Sequence, residues 1–114
     1  MKFTLFKIMN DDGRFSTGGT SIKFTKNGKT WTTRAGLSNH ITQIANIQKY
    51  IGCQLVSITE NGTTSEPIEP YIYDKLKAYY DRELKDSTSR YDARRKEIFE
   101  HDMEILKDII NKKE

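Results

Sequence analysis

The stretch Arg14-Phe-Ser-Thr-Gly-Gly-Thr-Ser-Ile-Lys-Phe-Thr-Lys-Asn-Gly-Lys-Thr-Trp31 decides the fold. It holds two turn signals, Gly18-Gly19 and Asn27-Gly28, and three aromatic residues, Phe15, Phe24 and Trp31. Ser21 to Thr25 alternates, with Ile22 and Phe24 on one side and Ser21, Lys23 and Thr25 on the other, as in a half-buried strand. Asn-Gly is the strongest short-range hairpin signal, so Asn27-Gly28 predicts a return through residues 29–33. Trp31 would then form a cross-strand pair with Ile22 or Phe24. Gly18-Gly19 predicts a bend that breaks pairing after a strand over 14–17.

Working outward, residues 2–9 predict a first strand with Phe3 and Leu5 on one face and Thr4, Phe6 and Ile8 on the other. Both of its faces carry apolar residues and can be covered. Asn10-Asp-Asp-Gly13 predicts a turn, because Asx side chains bond their own backbone and Gly accepts positive φ. Thr33 can cap a helix over 34–51 whose stripe is Leu37, Ile41, Ile44, Ile47 and Ile51, with Gly52 as its stop. Residues 53–60 predict a strand centred on Leu55, Val56 and Ile58. Asn61-Gly62 predicts a second two-residue hairpin turn into 63–67, where Pro67 and Pro70 mark a short edge strand.

Composition shifts at Pro70. Residues 71–114 contain no Gly or Pro and carry eleven Lys or Arg against eleven Asp or Glu. Tyr73, Leu76, Tyr80 and Leu84 suit one helix. Residues 86–90, Asp-Ser-Thr-Ser-Arg, offer several caps, so two helices are favoured over one of about forty residues, far above the usual ~10–14. The fold class is α+β: a small antiparallel β-sheet of hairpins packed on one helix over 1–70, then a charged C-terminal helical arm over 71–114. Ile98, Phe99, Met103, Leu106 and Ile110 give the arm an apolar stripe that can close a homodimer or dock on a partner.

Net charge is +3, but its distribution says more than its sum. Residues 13–59 hold no Asp or Glu and six cations, Arg14, Lys23, Lys26, Lys29, Arg34 and Lys49. A basic face of Arg14, Lys23, Lys26, Lys29 and Arg34, with Trp31 beside it, can meet an acidic protein surface. It can equally hold nucleic-acid phosphates while an aromatic ring stacks a base. Ser16, Thr17, Gly18 and Gly19 form a candidate anion-binding loop, flanked by Arg14 and Lys23. The simpler role for those glycines is a bend. Gly28-Lys29-Thr30 is not a phosphate loop, since Lys23 stands where the first Gly belongs and Trp31 follows in a strand.

No catalytic residue and no cofactor are expected. His40 and His101 belong to no catalytic signature, and Asp11 and Asp12 are explained by their turn. Cys53, His40 and His101 lack metal-ligand spacing, so no metal is expected, and a single Cys acts as a small core hydrophobe. That lone Cys points to a reducing, intracellular setting. No apolar run approaches 18 residues, so no membrane partner is expected.

Three blocks then appear in order: Phe15-Ser-Thr-Gly-Gly19, Phe24-Thr-Lys-Asn-Gly-Lys-Thr-Trp31 and Gly36-Leu-Ser-Asn-His-Ile41. As a set they resemble small bacteriophage proteins with the pattern F-S-T-G-G, F-x-K-x-G-K-x-W and G-x-L-x-x-H-I/L. The resemblance covers residues 2–70, and the last block departs from it, because Leu37 directly follows Gly36. It implies a viral origin, a small α+β domain and residence in the cytoplasm of an infected host cell. It carries no catalytic residues. Phage proteins of this size often block a host enzyme or defence complex, so the expected function is a non-enzymatic inhibitor of a host protein complex. The competing function is a nucleic-acid-binding accessory protein.

Overall fold

The computed structural model describes residues 3–43 and 47–112. The chain forms two compact units, Met1–Ile68 and Glu69–Glu114. The class is α+β.

In the first unit, strands β1 (Thr4–Met9), β2 (Phe15–Ser16), β3 (Phe24–Thr25), β4 (Gln54–Thr59) and β5 (Gly62–Pro67) make one antiparallel sheet in the order β3-β2-β1-β4-β5. The β1–β2 turn is built by Asn10. Its Oδ1 accepts the Asp12 and Arg14 N–H groups at 3.0 and 2.9 Å, and Gly13 supplies φ +79°. Phe6, Ile8 and Leu55 share one buried face of the sheet, since alternate residues share a face.

The Asn27-Gly28 turn does not make the expected hairpin. The Thr25 Oγ1 accepts the Gly28 N–H at 2.9 Å, and the chain then crosses over β2. Lys29 donates its N–H to Ser16 O at 2.8 Å, and Trp31 pairs antiparallel with Phe6, so residues 29–31 enter the gap between β2 and β1. The crossing is tight. A Cβ at Gly28, whose φ is +59°, would stand 2.5 Å from Phe15 Cβ and 2.7 Å from Phe15 O. Lys7 fastens the crossing by donating Nζ to Asn27 O and to Thr30 Oγ1. Asn-Gly signals a reversal but says nothing about which strand the returning chain will join. The expected Trp31 pairing with Ile22 or Phe24 is replaced by its bridge to Phe6.

Thr33 does cap helix α1 (Arg34–Gln43), its Oγ1 accepting the Gly36 N–H at 3.0 Å. Ten residues are too few for a stable isolated helix. Burial of Leu37 and Ile41, worth about 1.5–3 kcal/mol each, holds it in place. The α-helix expected through residue 51 stops earlier. Ile47–Tyr50 is a 3-10 turn, closed by Ile51 N–H to Gln48 O and Cys53 N–H to Tyr50 O. Ile44 lies outside the described residues. Gly52, at φ +87°, ends the segment.

The second hairpin turns one residue earlier than expected. Thr59 pairs with Gly62, so Glu60 and Asn61 form its tip, both with negative φ, and Gly62 follows at φ +129°. Strand β5 is an edge strand, yet it pairs with β4 along all six residues, and every one is exposed.

The second unit contains helices α2 (Glu69–Tyr79) and α3 (Arg90–Lys112), joined through a π turn over Tyr80–Leu84. Pro70 sits in the first turn of α2, where its missing N–H costs nothing. The Lys85 N–H to Tyr80 O bond closes the π turn. Ser89 then caps α3, its Oγ accepting the Tyr91 N–H at 3.2 Å. Among the described residues, no helix is long and apolar enough to cross a membrane.

Candidate functional site

The cations expected on one face separate into two groups, and a further cation, Lys7, joins them. Strands β2 and β3 form a short ribbon at the sheet edge, with Phe15 opposite Thr25. Continuing that register puts Arg14 across from Lys26, and Thr17 across from Lys23. Thr17 donates its N–H to Lys23 O at 2.8 Å, and its Oγ1 accepts the Lys23 N–H at 3.1 Å. All three cations are exposed. A second group lies on the side of α1. There the Lys29 Nζ stands 5.4 Å from the Trp31 ring and the Arg34 guanidinium 5.5 Å from the Phe6 ring. Lys7 is absent from the expected set, and its Nζ lies 4.7 Å from the Phe15 ring. Strand alternation places Lys7 on the face opposite Phe6 and Ile8, and the crossing supplies what it holds.

Ring stacking holds some of these cations and leaves their charge uncancelled. Among the described residues, the ion pairs are Lys77–Asp81 and Arg82–Glu83, both in the second unit. The side chains of Arg14, Lys23, Lys26, Lys29 and Arg34 meet no acidic partner among them.

Trp31 cannot stack a base from outside. It is 4% exposed, and its ring is stacked on His40 at 5.1 Å with 30° between the planes. A Cβ at Gly18 would touch it at 3.1 Å, so the Gly18 backbone lies against its edge. The expected anion loop is also closed. Gly18 donates its N–H to Ser16 Oγ at 3.1 Å, and the Thr17 N–H is held by Lys23 O. Of Ser16, Thr17, Gly18 and Gly19, Gly19 alone is exposed. The bend explains these glycines, whose φ values are +69° and +72°.

Beneath the Trp31 ring runs a hydrogen-bond chain that sequence reasoning missed. Ser16 Oγ and Tyr50 Oη are 2.6 Å apart, and Tyr50 Oη and His40 Nε2 are 2.7 Å apart. Ser16 and Tyr50 are both 0% exposed. The Gly18 N–H can only donate, so one order satisfies every buried group: Gly18 N–H to Ser16 Oγ, Ser16 O–H to Tyr50 Oη, and Tyr50 O–H to a bare His40 Nε2. That order keeps His40 neutral. Burial, reinforced by Lys29, lowers its pKa below the ordinary 6.5. Burial likewise pushes the Tyr50 pKa up to about 12, against the opposing Ser16 hydrogen bond. His40, stacked on Trp31 and edge-on to Tyr50, serves packing.

The apolar stripe of α3 divides. Phe99 is 6% exposed and stands 5.4 Å from the Tyr79 ring of α2, and Leu106 is fully buried. Arg95 lies across both Tyr79 and Phe99 and donates to the Tyr79 hydroxyl at 2.9 Å. Met103 and Ile110 are half-buried, and Ile98 is 42% exposed. Ile98 and Tyr91 are therefore what α3 offers outward. Among the described residues, no group of His, Cys, Asp and Glu is placed to hold a metal ion.

The chain matches no family model, no curated protein and no solved structure.

Proposed function

We propose that this chain is a non-enzymatic binding protein of bacteriophage origin that inhibits or redirects a host protein complex, in a counter-defence role. The observation that carries this is the charge of the first unit: Arg14, Lys23, Lys26, Lys29 and Arg34 are exposed and meet no acidic partner among the described residues. Such an excess of positive charge raises the encounter rate with an acidic partner and selects against basic ones. The non-enzymatic part rests on the burial of the Ser16 and Tyr50 hydroxyls, which puts the most chemically suggestive cluster out of a substrate's reach. Ile98 and Tyr91 on α3 supply a second contact.

Nucleic-acid binding is the second reading, favoured by the same cations. Closure of Trp31 removes that ring as a base-stacking platform, and the exposed cations supply phosphate contacts, which position a protein without reading sequence. Capture of partners from bacterial lysate with and without nuclease separates the two. A protein retained stoichiometrically after nuclease supports the first. Recovery that vanishes with nuclease, with affinity falling steeply with salt, overturns it in favour of the second.

A further inference from the structure

The two edges of the sheet are built differently. At the β3 edge, Lys23 and Lys26 guard against pairing with another chain, as lysines on edge strands commonly do. At the β5 edge, Gly62-Thr-Thr-Ser-Glu-Pro67 has no basic residue, and Thr63, Thr64 and Ser65 are exposed and uncharged.

The hydrogen-bond phase fixes which β5 groups face outward. Phe6 exchanges both backbone bonds with Trp31, so it turns away from β4. Its neighbours Leu5, Lys7 and Met9 therefore bond Ile58, Val56 and Gln54. On β4 the alternate residues Leu55, Ser57 and Thr59 turn to β5 and bond Glu66, Thr64 and Gly62. Thr63 and Ser65 are left with N–H and C=O pointing away from the sheet. Pro67 shares that phase, which is why its missing N–H breaks no ladder bond.

We propose that β5 pairs with β5 of a second copy of this chain, antiparallel about a two-fold axis at Thr64. In that register Thr63 faces Ser65 of the other copy twice, and the two pairs make four backbone hydrogen bonds. Thr64 meets its own counterpart in the close, non-hydrogen-bonded position, where Thr–Thr pairs are favourable. Glu66 falls opposite Gly62, so no like charges meet. Moving the axis to Ser65 puts Thr63 against Pro67 and loses a donor at each end. Moving it to Glu66 sets two carboxylates against each other. Moving it to Thr63 brings the hairpin tip at Asn61 into the ladder. Uncharged composition, outward donors and the position of Pro67 all select the Thr64 axis, and the paired sheets form one continuous ten-stranded sheet.

Sedimentation of the full chain over a concentration series tests this. The wild-type chain is expected to dimerise, and Thr64→Lys, an exposed change outside the core, to weaken dimerisation about tenfold or more by setting like charges face to face. An equimolar mixture of Thr64→Lys and Thr64→Glu chains should recover a dimer that neither forms alone, which also shows that both variants are folded. A wild-type chain that stays monomeric throughout overturns the proposal. So does a dimer indifferent to Thr64→Lys, or a mixture that fails to associate.

Discussion

The two units both set cations over aromatic rings but differ in the acidic partners those cations find. In the second, charges are balanced and close to one another along the helices: Lys77 and Asp81 pair at 3.5 Å one turn apart, and Arg82 pairs with its neighbour Glu83. In the first, cations lie on aromatic rings, point to solvent or, as Lys7 does, donate to neutral oxygen atoms, and the hydrogen-bond chain through Ser16 and Tyr50 is uncharged. The second unit therefore neutralises part of its own charge, whereas Arg14, Lys23, Lys26, Lys29 and Arg34 of the first unit meet no acidic partner among the described residues, as the proposed binding role requires. What holds the first unit together is its buried apolar core, whose shape is set by the close crossing at Gly28 and by the hydrogen bonds running from Gly18 N–H to His40. Charge changes there should alter binding more than stability.

The largest effect expected from a single change is at the crossing. Gly28→Ala should destabilise the chain by about 3–5 kcal/mol, since it adds a left-handed non-glycine residue to an overlap with Phe15 backbone that cannot move aside. Chemical denaturation measures this, and a loss under about 1 kcal/mol would show that the chain does not cross β2 there. Tyr50→Phe comes next. It leaves Ser16 Oγ and His40 Nε2 without their shared partner at a cost of about 1–3 kcal/mol.

A pH dependence follows from His40. Its folded pKa lies below 6.5, so the folded chain binds fewer protons than the unfolded chain just below that pH. The stability contribution is fully present above about 6.5 and is lost as pH falls toward the depressed folded value. The unfolding midpoint of the wild-type chain should fall over that interval more steeply than that of His40→Gln. Equal slopes would mean that His40 titrates normally. The smallest effect belongs to the second unit. Lys77→Ala removes an exposed pair, and denaturation should register a change of at most about 0.5 kcal/mol. A larger value would mean that ion pairs carry that unit's stability.

Local features were legible in the sequence because their causes are local. The Asn10 turn, the Thr33 cap, the Gly52 stop and the weak point before α3 each rest on residues within four positions of one another. The crossing at Gly28 was not legible, because Asn-Gly specifies a turn and leaves open the strand that receives the chain. Nor was the buried hydrogen-bond chain: Ser16 and Tyr50 are 34 residues apart, and nothing near either points to the other. Exposure was misjudged for the same reason. Trp31 and Phe99 read as surface residues until His40 and Tyr79 are placed against them.

The most direct test of the central claim is a paired charge reversal. Arg14, Lys23 and Lys26 are changed together to Glu in one variant, and Lys77, Arg82 and Lys107 of the second unit in another. Each is compared with the wild-type chain for partner capture from bacterial lysate after nuclease treatment. The account predicts that the first variant loses the captured protein while remaining folded, and that the second retains it. Capture that survives the first reversal, or that is lost only with the second, would contradict the assignment of recognition to the first unit.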